Sequence, residues 1–274
     1  MSSRVVCVGD NCIDHYLPPV NRRLVGGNAV NVAVCMQGSG IPASYVGFVG
    51  DDPDGALVLE RLRLEGVDVY NVRVLHGRTS VTQVSLSPEG DRQFVREDMG
   101  VQEGAVFDEG QLAFARGHDL IHTTILGGTI PYLRDLKQGS ARLSFDYGDC
   151  HTEAILAETL NYVDIAFFSA GPSSTEGITD LVDRVHGSGP EVVIVTRGPS
   201  GSLAYDGHRT YHCSATQVQV VDTLGAGDAF IGGFLASHLR SLGLQACLEE
   251  ASRLAASACT HYGAWRQDRK AQWV

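Results

Sequence analysis

The sequence predicts an α/β fold of three layers, a doubly wound and mainly parallel sheet with helices on both faces, together with a small β element. Short apolar segments alternate with segments of helical spacing along most of the chain. This alternation is typical of a parallel sheet covered on both faces. One stretch, residues 72–98, instead alternates apolar and polar residues. We therefore expect one domain over residues 1–274, with the β element mainly from 72–98 and a short contribution from about 14–24.

The first half of the chain begins with two predicted strands, residues 4–10 and 44–50, separated by a helix that stops at the Gly-Ser-Gly of 38–40. A second helix, 52–66, opens with Asp and Pro and closes with Gly. Residues 72–98 then alternate around "SPEGD", which predicts a hairpin exposed on one face.

The second half returns to the alternating pattern and completes the predicted sheet. Two late helices are predicted at about 226–242 and 245–261, and the polar tail 265–274 is expected to be loosely ordered. The remaining predicted strands are 118–125, 141–148, 163–170, 190–198, 201–207 and 209–213.

Composition excludes several classes of protein. The net charge of −11 argues against sequence-independent nucleic-acid binding, which depends on Lys and Arg. The seven cysteines are scattered without C-x-x-C spacing, so neither a disulfide framework nor a zinc site is indicated. No apolar run approaches the ~18 residues of a membrane span, and "MSSRVVCVGD" predicts a first strand rather than a signal peptide. We expect a cytoplasmic protein.

The stretch "VVDTLGAGDAFIGGFL" carries the clearest functional signal. If 218–221 is a strand and 228–242 a helix, residues 224–228 form the turn between them. The backbone N–H groups there lack intrahelical partners and lie at the positive end of the helix dipole. Glycines let an anion approach them closely, so the turn predicts an anion site.

Asp228 can be interpreted in two ways. It can simply cap the helix, as an Asp before an apolar helical run commonly does. Two glycines around Ala226 exceed what a cap requires, however, and favour catalysis. A phosphoryl group held by Gly225, Ala226 and Gly227 would suit transfer to a hydroxyl whose proton Asp228 accepts.

Other phosphate-binding motifs are missing from the sequence: neither Gly-Lys-Ser/Thr, nor G-x-G-x-x-G after the first strand, nor the protein-kinase signature set occurs. Instead "DTLGAGDAF" (222–230) and "GGNAVN" (26–31) resemble the two signature motifs of the ribokinase-like, or PfkB, carbohydrate kinases. The resemblance extends over nearly the whole chain to about Trp265. It implies a ribokinase-like fold in which the β element is a lid that often also forms a homodimer.

The resemblance implies a sugar site. Asp14 matches the acceptor of sugar hydroxyls, Gly26 and Gly27 the pair that brings backbone close to the sugar, and Asn31 a polar contact from the next helix. Arg92 on the hairpin is a candidate lid contact to substrate. Alternatively, Asp14 is an aspartate in a turn after the strand, Gly26 and Gly27 form the turn into a helix, and Arg92 has a surface role.

The resemblance also implies an ATP site. Thr196, Gly198 and Gly201 in "TRGPSG" match the nucleotide loop, and Thr223, Gly225 and Gly227 belong to the second motif. A tight turn between strands is the alternative for "TRGPSG". Whether a monovalent cation binds near Asp222 stays open.

Magnesium is expected with ATP but without a protein ligand. Many members of the family place N-x-x-E after the strand that corresponds to "DIAFF", whereas this chain has "SAGP" at 169–172. Mg²⁺ accepts ATP oxygens and water as ligands, so it can be bound chiefly by those.

The substrate is expected to be a small carbohydrate. "GDNCID", "GGNAVNVAV", "SAGP" and "HYGAW" resemble the members of the family that act on fructosamines, which implies phosphorylation of the 6-hydroxyl of fructoselysine or a related fructosamine. The family's usual D-P-N-x-R run is "DYGDC" here, and loss of its arginine with gain of Asp149 would suit a cationic amine. Alternatively, "DYGD" is simply a polar turn. For the whole protein, the alternatives are a kinase for ribose, fructose or adenosine, or a non-catalytic sensor.

Overall fold

The computed structural model describes residues 3–87, 90–171 and 175–267. Within them the strands are β1 (Val5–Val8), β2 (Cys12–Tyr16), β3 (Arg23–Gly26), β4 (Ala43–Val46), β5 (Phe48–Gly50), β6 (Arg73–Leu75), β7 (Val81–Leu86), β8 (Arg92–Asp98), β9 (Leu120–Thr124), β10 (Arg142–Asp146), β11 (Ile165–Ser169), β12 (Val192–Thr196), β13 (Ser202–Tyr205) and β14 (Thr210–Cys213). The helices are α1 (Asn28–Gly38), α2 (Pro53–Leu64), α3 (Glu109–Arg116), α4 (Leu133–Leu136), α5 (Glu153–Thr159), α6 (Thr175–His186), α7 (Ala226–Leu239) and α8 (Leu244–Ala258).

The predicted three-layer architecture is confirmed. The large sheet has the strand order β14-β13-β12-β11-β10-β9-β1-β4. Neighbouring strands pair in parallel from β4 through β1, β9, β10 and β11 to β12, whereas β13 pairs antiparallel with both β12 and β14. One apolar cluster joins the sheet to α1, α2, α7 and α8, and a second joins its other face to α3 to α6. In the described residues, no helix combines the length and apolar character needed to cross a membrane.

A small sheet of order β3-β2-β7-β8 lies apart from the large one. Its hairpin, β7 and β8, falls within 72–98, and β2 and β3 come from the segment around 14–24. The start of the 72–98 segment is not part of the hairpin, because β6 pairs in parallel with β5. Residues 88 and 89 of the hairpin turn lie outside the described residues.

Three local predictions were wrong. Residues 44–50 do not form one strand, because the ladder is interrupted at Gly47. β4 pairs in the large sheet and β5 pairs with β6, and a Cβ at Gly47 would collide with Tyr45. Residues 218–221 are not a strand, because this exposed segment makes no ladder within the described residues. The start of the tail is ordered: Gln267 is 8% exposed and exchanges two hydrogen bonds with the Val25 backbone. Residues 268–274 lie outside the described part.

The topology brings the functional candidates to one end of the molecule. The carboxyl ends of parallel strands share an edge of the sheet. β1 ends just before Asp10, and β10 ends at Asp146. The N-termini of α1 and α7 are joined there by a hydrogen bond from Asn31 to Asp228. A ligand in the space between them would contact both helix ends.

Candidate active site

The turn before α7 is built as an anion site. Gly225 is the N-cap in the left-handed conformation, at φ 75°, and a Cβ there would also collide with Ala264. Gly227 is exposed, and no heavy atom lies within 4 Å of where its Cβ would be. Gly227, in the first turn of this 14-residue helix, therefore leaves open space at the positive end of the helix.

Asp228 lies in that first turn and is not the N-cap. Its carboxylate is 9% exposed and accepts a 2.7 Å hydrogen bond from Asn31 Nδ2. Burial raises its pKa to about 7, with further increases from Asp146 and Asp10, while the Asn31 hydrogen bond and Arg92 oppose the shift. A carboxylate with a pKa near neutrality can accept a proton from a hydroxyl more effectively than an ordinary aspartate.

Asp14, on β2, is held in a space that depends on glycine. A Cβ at Gly26 on β3 would occupy the position of Asp14 Oδ2. That oxygen is buried without a hydrogen-bond partner, while Oδ1 accepts from Cys12 Sγ at 3.3 Å. Burial raises the pKa of Asp14 to about 7. Because buried polar atoms are normally paired, the unpaired oxygen suits a ligand hydroxyl.

The entry to α1 is fixed by Asp10, a residue to which sequence reasoning gave no role. Its carboxylate accepts from the backbone N–H groups of Asn28 (2.6 Å) and Ala29 (3.3 Å). Gly27 precedes them at φ 109°, where a Cβ would collide with Asn11. Asp10 therefore holds the first turn of α1, the turn from which Asn31 reaches Asp228. An acidic residue between a strand and a Gly-Gly helix entry was the only available signal.

The tip of the hairpin contacts the anion turn. Thr223 N–H donates to Gly90 O at 3.2 Å, and the Arg92 N–H donates to Thr223 Oγ1 at 3.4 Å. The Arg92 guanidinium donates to Thr223 O at 3.2 Å, and its charge lowers the pKa of both Asp14 and Asp228. Arg92 thus lies near both candidate carboxylates, as a substrate contact would require.

Asp222 is engaged by the protein itself. Its carboxylate accepts from Tyr16 Oη (2.5 Å), Leu224 N (2.9 Å) and Gly263 N (2.9 Å), and the residue is fully buried. These contacts tie β2 and the segment after α8 to the anion turn. Asp222 therefore positions the turn structurally.

The residues predicted for the nucleotide loop differ in how much open space surrounds them. Thr196 ends β12, and its hydroxyl donates to Phe168 O at 3.3 Å. Gly198, at φ 53°, has no heavy atom within 4 Å of a Cβ position, whereas a Cβ at Gly201 would collide with Cys213 O. Gly198 can accommodate a close ligand. Gly201 is required by the packing of β13 against β14.

The "DYGD" turn adds negative charge. Burial raises the pKa of Asp146, at the end of β10, to about 6, and Asp10 and Asp149 add to the increase. Asp149 is exposed, and the Cys150 thiol donates to Asp149 Oδ1 at 3.2 Å. Of the predicted "SAGP" segment, Ser169 is exposed and Pro172 lies outside the described residues.

Comparison with known proteins gives a family match. The model described as pfkB family carbohydrate kinase matches residues 2–111 and 155–270, most of the chain. Among curated relatives, fructosamine kinase FrlD of Bacillus subtilis is 36% identical over 268 residues, 96% of this chain and 93% of the relative. Fructoselysine 6-kinase of Shigella flexneri is 34% identical, over 94% and 98% of the two chains.

More distant matches carry other names. A fructokinase of Salmonella typhimurium is 30% identical over 86% of this chain and 85% of its own. The solved structure of Arabidopsis thaliana ribokinase complexed with ribose and ATP matches with a TM-score of 0.84 at 23% identity, covering 96% of this chain and 94% of that one. This last similarity concerns the fold.

Proposed function

The chain belongs to the pfkB family of carbohydrate kinases, and we propose that it phosphorylates the 6-hydroxyl of fructoselysine or a related fructosamine with ATP. The observation that carries this proposal is the charge of the site. Asp10 raises the pKa of Asp14, Asp146 and Asp228, Asp146 also raises that of Asp228, and Arg92 lowers the pKa of Asp14 and Asp228.

The α7 turn supports the assignment of ATP. In the proposed reaction the open backbone at Gly227 receives the transferred phosphoryl group, and Gly198 gives a second close approach for the nucleotide. The sugar hydroxyl oxygen forms a bond to the γ-phosphorus, its proton passes to Asp228, and the bond to ADP breaks. The solved ribokinase complex, which holds ATP, agrees with this assignment.

Magnesium is proposed to accompany ATP without a carboxylate cage. In the described residues, no group of three or more His, Cys, Asp or Glu side chains could hold a metal ion. A hard cation that binds phosphate oxygens and water fits a site of this kind, where it would neutralise phosphate charge.

A fructosamine fits the site better than a neutral sugar for two reasons. Its amine is cationic near neutral pH, and the carboxylates would attract it. The position of the usual family arginine is Cys150, so the "DYGD" turn presents no positive charge to oppose that amine. Asp14, whose Oδ2 has no hydrogen-bond partner in the structure, is proposed to accept from the sugar hydroxyls.

Three further assignments complete the proposal. A homodimer would form through the small sheet, where Phe94 and Val95 on β8 are 53% and 54% exposed. A monovalent cation near Asp222 would have to share its carboxylate with three hydrogen-bond donors. The cytoplasm suits an ATP-dependent enzyme whose seven cysteines, all in the described residues, are unpaired.

The substrate assignment is tested with an ADP-release assay on fructoselysine, fructose, ribose and adenosine. We expect the highest kcat/KM with fructoselysine, and we expect Asp14→Ala to lose activity on every substrate. Equal or better rates with a free sugar would overturn the fructosamine assignment and favour the activity named for the fructokinase relative.

A further inference from the structure

One face of the small sheet carries a row of three residues, one from each of three neighbouring strands. Asp14 on β2 lies opposite Thr82 on β7, which lies opposite Glu97 on β8. Directly opposed residues share a face of a sheet. Since neighbouring strands are about 4.8 Å apart, the backbone of Glu97 is about 10 Å from that of Asp14. Glu97 is exposed, so its carboxylate is accessible on the face that carries Asp14.

This face is the one directed at the candidate active site. Tyr16 and Val84, each two residues beyond the row on its own strand, lie on the same face because side chains alternate along a strand. Both are fully buried in one cluster with Leu224 of the anion turn. The row from Asp14 to Glu97 therefore borders the cleft between the small sheet and the main body of the protein.

Glu97 lies near the turn that follows β10, on the other side of that cleft. The Cys150 thiol of this turn has a raised pKa, chiefly through its hydrogen bond to Asp149, and the charge of Glu97 adds to the increase. Asp149 is exposed as well. Within residues 3–87, 90–171 and 175–267, neither Glu97 nor Asp149 forms a salt bridge. A cationic ligand group would find both carboxylates without a competing protein cation.

The inner face of β8 has opposite charges at its two ends. The strand contains a register shift, so Arg92 and Glu97, opposite Leu86 and Thr82, lie on the same face although they are five residues apart. At about 3.3 Å per residue their separation along the strand is about 15 Å. The Arg92 guanidinium donates to Thr223 O in the anion turn. The cation is therefore at the phosphate end of the cleft and the anion at the opposite end.

A fructosamine has the matching polarity. Its 6-hydroxyl, at one end of the sugar, receives the phosphoryl group at the anion turn. Its amine is attached to C1, at the other end of the sugar, and an amino-acid tail extends from that amine. With the 6-hydroxyl at Asp228 and ring hydroxyls at Asp14, the C1 substituent extends toward the end of β8 that carries Glu97.

We propose that Glu97 is a specificity-determining residue that binds an ammonium group carried by the C1 substituent of the substrate. A carboxylate that accepts from an ammonium group forms a charge-assisted hydrogen bond, which a neutral sugar cannot supply. The ammonium group is either the amine on C1 or the α-ammonium of the tail. This inference rests on the proposed fructosamine kinase function and names the side chain that separates such a substrate from fructose.

The test removes one negative charge at two exposed positions. Glu97→Gln keeps the shape of the side chain, and Glu60→Gln, on α2, is the control for the change in net charge. Thermal unfolding checks that both variants fold. Each is assayed for kcat and KM with fructoselysine, with the methylamine adduct of fructose, which keeps the C1 amine without an amino acid, and with fructose, at low and high salt.

Glu97→Gln should lower the ratio of kcat/KM for fructoselysine to that for fructose about fivefold, the upper end for an exposed ion pair, chiefly through KM. The difference should shrink at high salt, which screens exposed charges, and Glu60→Gln should keep the wild-type ratio. An equal loss with the methylamine adduct assigns Glu97 to the C1 amine, and a loss confined to fructoselysine assigns it to the α-ammonium.

Two results would count against the inference in different ways. If the wild type prefers fructoselysine and Glu97→Gln keeps that preference, or Glu60→Gln lowers it equally, the role of Glu97 is overturned while the proposed function stands. If the wild type prefers fructose to both adducts, the proposed function fails and the role of Glu97 fails with it.

Discussion

Two glycine turns, 198–201 and 225–227, were both predicted to approach phosphate, and they are built differently. Each contains one open glycine and one packed glycine: Gly198 and Gly227 border free space, while Gly201 and Gly225 contact backbone or side-chain atoms where a Cβ would lie. Only the second turn begins a long helix, α7. The first closes a three-residue 3₁₀ turn and continues into β13. A glycine pattern therefore combines positions that the fold requires with positions that a ligand can use.

Substitution of Asp228, the aspartate that follows the second turn, should have the largest effect. Asp228→Asn should lower kcat by at least about a hundredfold, the usual scale for a lost general base, because the amide cannot accept the hydroxyl proton. Calorimetry should show unchanged ATP binding, and thermal unfolding an intact fold. Arg197→Ala, at the other turn, is the comparison and should change kcat little. Near-normal turnover of Asp228→Asn would reduce Asp228 to a structural residue.

Substitutions of the two glycines in the second turn should have different effects. Gly227→Val places a side chain in open space, so the protein should fold while kcat/KM for ATP falls by about tenfold or more, since approach to backbone donors is blocked. Gly225→Val should fail to fold stably, because φ is 75° and Ala264 occupies the Cβ position. Soluble expression and thermal unfolding distinguish the two. A stable, fully active Gly227→Val enzyme would place the phosphate elsewhere.

The first turn should show the same contrast at smaller scale. Gly198→Ala carries a left-handed backbone cost of about 1 kcal/mol and should raise KM for ATP only a few-fold, because no macrodipole of a long helix adds to this turn. Gly201→Ala should lower the melting temperature strongly through collision with Cys213 O and leave KM nearly unchanged in whatever protein folds. The reverse pattern would exchange the roles of the two positions.

The smallest effect concerns pH. The pKa of Asp228 is raised to about 7, so kcat should fall as pH drops through about 7 and protonates the base. Arg92 lowers that pKa, and Arg92→Ala should therefore move the acid side of the profile to higher pH. Because burial raises the folded-state pKa of Asp14, its contribution to stability is present at low pH and lost as pH rises toward about 7. Asp14→Asn should remove that loss in melting temperature measured between pH 5 and 8.

The layered architecture could be predicted from the sequence, but the limits and contacts of individual segments could not all be predicted. Alternating apolar and helical segments predicted the large sheet, and the Gly-x-Gly-Asp run predicted the start of α7 within a residue or two. The break at Gly47 left no trace in the apolar pattern, because β4 and β5 are equally buried. Gln267 was missed since its partner, Val25, is 242 residues away.

The sequence predicted the individual residues of the candidate site, but only the structure shows which of them contact one another. Asp14, Asn31 and Asp228 were identified from motifs, yet the dependence of Asp14 on a missing Cβ at Gly26 could not be deduced from spacing. The role of Asp10 was also hidden, because an aspartate after a strand is common. Glycines 198 and 201 appear equivalent in the sequence and differ only in what surrounds them.

The two hydrogen bonds between Gln267 and Val25 also bear on assembly. The side-chain amide satisfies the outward N–H and C=O of β3 as a neighbouring strand would, and thereby covers that edge of the small sheet. The opposite edge, β8, has exposed side chains along nearly its whole length. In the small sheet as described, a second copy could add a strand beside β8, and pairing β8 with β8 about a two-fold axis would produce a closed dimer rather than an open-ended fibre.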